Sequence, residues 1–74
     1  MEVSFSKHAL EQLEIRSIIT KVMVLDTLTN SDEVLESYRG RKVYRKKIGE
    51  EYLEVVTVIE DNKLIVVTQY ILEN

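Results

Sequence analysis

Apolar positions along the chain follow two periods, one before and one after about residue 30. Residues 6–16, SKHALEQLEIR, place Ala9, Leu10 and Leu13 together at helical spacing behind Ser6, a good N-cap, and predict an amphipathic helix. Residues 20–28 set Val22, Leu25 and Leu28 on one face behind Thr20, although Met23 and Val24 interrupt the polar side. Length and the helix-favouring Lys21, Met23 and Leu25 predict a second helix there rather than a strand.

From Asp32 the pattern alternates, and four strands are expected at 33–38, 42–48, 52–60 and 63–72. The turns fall at Arg39-Gly40, around Gly49 and at Asp61-Asn62, where Gly, Asp and Asn tolerate positive φ. Connections this short force antiparallel neighbours, because a parallel pair needs a long crossover. The expected fold is therefore a single α+β domain over residues 1–74, two N-terminal helices packed on a four-stranded antiparallel sheet. Strict alternation in the last strand sends Leu64, Val66, Tyr70 and Leu72 one way and Ile65, Val67 and Ile71 the other. Two helices cover one face of such a sheet, so the second set is expected to meet a second copy in a homodimer through the last strand. The alternatives are a curled sheet or coverage by residues 1–5.

Composition narrows the setting. With 45% hydrophobic and 31% charged residues the chain can bury a core, which argues against disorder. The absence of cysteine rules out a disulfide framework and thiolate metal sites and fits a reducing cytosol. No apolar run approaches the roughly 20 residues needed to span a bilayer, and the acidic, interrupted N-terminus does not resemble a secretory signal. A cytoplasmic protein without membrane contact is expected.

Charge is unevenly placed. The formal net charge is −3, yet six of the ten basic residues fall in YRGRKVYRKK, residues 38–47, with no acid between Glu36 and Glu50. Such segregation suits a phosphate or acidic partner, with Arg39, Arg41, Lys42, Arg45, Lys46 and Lys47 as cations and Tyr38 and Tyr44 placed to stack on bases. An edge strand that carries Lys and Arg to discourage aggregation gives the same string. Alternation divides the cluster, sending Arg41, Arg45 and Lys47 to the side of Val43, and Lys42 and Lys46 to the side of Tyr44 and Ile48. His8, the single histidine, sits in the first turn of the first helix, where the macrodipole favours a neutral ring able to act as a base. Gln12 and Arg16 continue its stripe, while a cap-side hydrogen-bonding role is the structural alternative for His8. Two glycines are too few for a phosphate loop or a dinucleotide fold, no serine has a nucleophile-elbow context, and nothing argues for a cofactor or a metal.

The opening FSKHALEQLEIRSI resembles small bacterial and archaeal domains of unknown function that begin F-S-x-H-A-x-x-R-x-x-x-R-G-I. Phe5, Ser6, His8, Ala9, Arg16 and Ile18 match, whereas Gln12 and Ser17 stand where that family usually has arginine and glycine. Gly40-Arg41-Lys42-Val43-Tyr44 and Val67-Thr68-Gln69-Tyr70 resemble its later G-R-x-x-Y and V-T-x-Y segments. These domains are similar in layout to RelE/ParE-like toxins, in which helices precede an antiparallel sheet that carries the active site. The resemblance implies metal-independent RNA cleavage and an antitoxin-like protein partner. His8 would then be base or acid, Arg16, Arg41 and Arg45 phosphate ligands, and Tyr44 or Tyr70 a stacking group or proton donor. The competing reading is a non-catalytic protein-binding module using the basic hairpin or the last strand.

Overall fold

Ser6 starts the first helix as the sequence leads one to expect, and it also ties that helix to the sheet. Its Oγ accepts from the Ala9 N–H and donates to the Val67 carbonyl, both at 3.0 Å. The structure, a computed structural model, describes residues 2–72. Helix α1 spans Lys7–Ile15 and helix α2 Lys21–Thr29, the second capped by Thr20 through the Met23 N–H. Around them lie strands β1 (Glu2–Phe5), β2 (Glu33–Glu36), β3 (Lys42–Ile48), β4 (Glu51–Glu60) and β5 (Lys63–Leu72), with a 3₁₀ turn at Tyr38–Gly40.

The sheet order is β1-β5-β4-β3-β2. The strands from β2 to β5 form the antiparallel meander, and the Asp61-Asn62 turn has φ of 50° and 63°, as a two-residue hairpin turn requires. Four strands, all antiparallel, is the expectation that fails. Residues 2–5 add a fifth, parallel to β5 with Val3 opposite Leu64 and Phe5 opposite Val66. Nearly the whole chain separates β1 from β5, so the length a parallel crossover needs is supplied by the helices and the meander together. The strand expected at 33–38 also ends early, at Glu36, where the chain enters the 3₁₀ turn.

Both helices pack on one face. Ala9, Ile19 and Val24 join Leu53, Val55 and Val66 in the buried core, with Phe5, Leu13, Met23, Leu28, Tyr44 and Ile71 against it. Ala9 is small enough to bring α1 close to β5, and its carbonyl accepts from the buried Gln69 Nε2 at 3.0 Å. α2 is turned relative to expectation: it buries Val24 and Thr27, while Val22 is 75% exposed. Thr27 serves there because its hydroxyl bonds back to the Met23 carbonyl, leaving a slim surface against β3 and β4.

The alternation expected along β5 is overturned by a bulge. Val56 pairs with Thr68 but Thr57 pairs with Val66, so Val67 is an extra residue and the parity changes there. Gln69 and Ile71 therefore join Leu64 and Val66 on the helix side, and Tyr70 and Leu72 go to the helix-free face with Ile65. The set Ile65, Val67 and Ile71 does not form one open patch. Among the described residues no helix is long and apolar enough to cross a membrane.

Candidate nucleic-acid interface

β3 divides the basic segment as its alternation requires. Tyr44 packs against the core, and the Lys46 ammonium bonds Asp26 on α2, so the even positions face the helices. Arg45 therefore lies on the helix-free face. There Glu33, Arg45, Glu54 and Tyr70 stand opposite one another across four strands, forming a polar row. Arg45 donates from Nε to Glu54 Oε2 at 2.5 Å, places Nη2 at 2.5 Å from the same oxygen, and reaches Glu33 Oε2 from Nη1 at 3.3 Å. Its guanidinium also lies 5.9 Å from the centre of the Tyr52 ring. Glu54 is 5% exposed, and a carboxylate this buried requires such a partner. Burial, then the neighbouring Glu54 carboxylate, pushes the Tyr70 hydroxyl above the ordinary phenol range, so it stays protonated at neutral pH.

Beside this row lies a cleft of about 530 Å³ lined by Ser37, Tyr38, Arg39, Arg41, Val43, Val56 and Tyr70. The 3₁₀ turn builds its rim: Arg39 and Gly40 both take positive φ, 58° and 73°, and Ser37 N–H bonds the Arg41 carbonyl at 2.8 Å. Arg39 in the left-handed region is notable, because a side chain there carries a conformational cost that glycine would not. Tyr38 is 87% exposed at the rim.

The cations of the segment thus fall into two groups. Lys42 pairs with Glu36 at 3.9 Å, Arg45 with Glu33 and Glu54, and Lys46 with Asp26, whose carboxyl that ammonium and Asn30 hold below the ordinary carboxylate range. Among the described residues the side chains of Arg39, Arg41 and Lys47 make no ion pair, and the two arginines line one cleft. Of the other residues singled out from the sequence, Tyr70 joins Arg39 and Arg41 in the cleft. Tyr44 is held in the core on the opposite face, and His8 and Arg16 are exposed on α1 and at its C-cap, in the helix layer. His8 and the cleft arginines are thus separated by the sheet. Glu54 is the residue that sequence reasoning missed. It reads as one more polar position on a wet face, and only its register between Arg45 and Tyr70 sets it apart. No group of three or more His, Asp or Glu side chains among the described residues is placed to hold a metal ion.

A small α+β domain with its helices on one face and an arginine-lined cleft on the other is the class this geometry defines. The chain belongs to the family described as domain of unknown function DUF4258, whose model matches residues 5–71. No curated protein and no solved structure matches it.

Proposed function

We propose that the cleft binds the phosphodiester backbone of single-stranded RNA and that the protein is a toxin-like, metal-independent endoribonuclease of the RelE/ParE-like kind. The observation that carries this reading is the pairing pattern: two arginines without acidic partners share one cleft with two tyrosines, while the other arginine and two lysines of the same segment are neutralised. Arg39 and Arg41 supply the charge for a phosphate and Tyr38 a ring on which a base stacks. In cleavage, the ribose 2'-oxygen bonds to phosphorus as the bond to the 5'-oxygen breaks, leaving a cyclic phosphate and a 5'-hydroxyl. The 2'-hydroxyl proton passes to water and Tyr70 protonates the departing oxygen, to be reprotonated from solvent. Arg39 and Arg41 stabilise the charge that builds on the phosphorane. His8 and Arg16, across the sheet, take no part.

Incubation of the protein with a single-stranded RNA oligomer, with products resolved by length, tests the reading. Cleavage is expected in the parent and a loss of about 10² or more in rate in Tyr70→Phe, with binding retained. Intact RNA after long incubation overturns the catalytic step, and absent binding overturns the whole reading. A second reading, a module that binds an antitoxin-like protein, is favoured by the helix layer, where Ile15, Ile18 and Val22 are each more than 70% exposed.

A further inference from the structure

The two sides of the sheet are built differently: β2 forms one edge, and on the other β1 covers only part of β5. β2 is four residues long and carries Glu33 and Glu36, charges that discourage another strand from adding. β5 is ten residues long, and from Leu64 to Leu72 it contains no charge, no proline and no glycine. β1 pairs with only its first half, residues 63–66, and the last bonds on that side are Ser6 N–H to the Val66 carbonyl and Ser6 Oγ to the Val67 carbonyl. Beyond them, among the described residues, no backbone hydrogen bond reaches the outer edge of residues 68–72, while β4 pairs the inner edge throughout.

We propose that β5 pairs edge to edge and antiparallel with β5 of a second copy, about a two-fold axis at Tyr70, giving a continuous ten-stranded sheet. Charge selects this pairing. Self-pairing of β2 sets Glu33 opposite Glu36 of the second copy, two like charges, whereas self-pairing of residues 68–72 opposes Thr68 to Leu72, Gln69 to Ile71 and Tyr70 to Tyr70. Growth beyond two copies is discouraged because the edges that remain are short and charged, the β2 strands carrying Glu33 and Glu36 and the four-residue β1 strands Glu2. Self-pairing encloses Leu72 on the helix-free face and Ile71 on the other. It also brings the two Tyr70-lined clefts together on one face of the joined sheet. Five paired residues bury less than a standard interface, so association in the micromolar range is expected.

Sedimentation of the whole chain from about 5 to about 500 μM, with amide hydrogen exchange at both ends of that range, tests the proposal. Expected are a monomer–dimer equilibrium and protection of residues 68–72 that rises with concentration while that of residues 33–36 does not. The double variant Thr68→Lys/Leu72→Lys sets lysine opposite lysine and should weaken the dimer at least tenfold; Thr68→Lys/Leu72→Glu should restore it to within about threefold. A monomer at every concentration, open-ended growth, or a dimer protected elsewhere overturns the proposal. Should either variant fail to fold by circular dichroism, the parent's exchange pattern still decides.

Discussion

Arg45 holds Glu54 through two nitrogens, Nε and Nη2, each 2.5 Å from one carboxylate oxygen, on the face of the sheet that carries no helix. The last arginine of the basic segment is thereby engaged by the fold, and Glu33 engages it further. Replacing Arg45 by Met leaves Glu54 buried without its partner, and the thermal midpoint should fall by about 5 °C or more. Arg45→Met/Glu54→Leu should recover most of the loss, because an apolar pair of similar volume avoids the unpaired charge. Thermal unfolding of the three proteins checks this; a double variant no more stable than the single one assigns Arg45 some other role.

Arg39 holds positive φ without the compensation of an ion pair. Arg39→Gly should leave the protein as stable or raise its stability by up to about 1 kcal/mol, since glycine adopts that backbone freely. The same change should weaken RNA binding. Chemical denaturation alongside an RNA titration checks both, and a clear loss of stability would show that the guanidinium supports the turn.

Much of this architecture is legible in the sequence, for identifiable reasons. Ser6 and Thr20 are caps, Asp61-Asn62 can turn a hairpin, and period-two alternation correctly divides Arg45 from Lys46. β1 is not legible, since four residues of mixed polarity carry no periodic signal and their partner lies at the far end of the chain. The bulge at Val67 is equally silent, because a run of apolar residues reads alike in either parity; yet it places Tyr70 on the face of Arg41. Likewise, spacing shows that six cations are close in the chain but not which acids reach them. That separation of Arg39 and Arg41 from Lys42, Arg45 and Lys46 exists only in the fold.

The core makes ordinary demands. Leu53 is fully buried beneath the helices, so Leu53→Ala should cost about 2–5 kcal/mol. Ser6→Ala should cost about 1 kcal/mol by removing the α1 cap, with some further loss from the Val67 carbonyl it leaves unpaired. Urea denaturation measures both, and a Ser6→Ala protein as stable as the parent would deny the cap its role.

Tyr70 and Asp26 predict opposite dependences on pH. The Tyr70 pKa is raised on folding, so its contribution is complete below the ordinary value of 10.0 and is lost as pH rises through the higher folded value. The Asp26 pKa is lowered, so its contribution is complete above the ordinary 3.8 and is lost as pH falls through the folded value. Tyrosinate absorbance should show a late-titrating component that disappears in Tyr70→Phe. The acid limb of the stability profile should flatten in Asp26→Asn. A high-pH tyrosinate limb that is the same in the parent and in Tyr70→Phe would contradict the first expectation, and an unchanged acid limb the second.

The most direct test of the arginine-lined cleft is the salt dependence of binding to single-stranded RNA, measured for the parent and for Arg39→Ala/Arg41→Ala. Each phosphate neutralised contributes about 0.7 to the slope of log affinity against log salt for a single strand, so the double variant should flatten the slope by about 1.4. Lys42→Ala/Lys46→Ala, which removes two cations paired with acids, should change it far less. A parent that binds no RNA at low salt, or a slope equally affected by either pair, would contradict the assignment of RNA binding to this cleft.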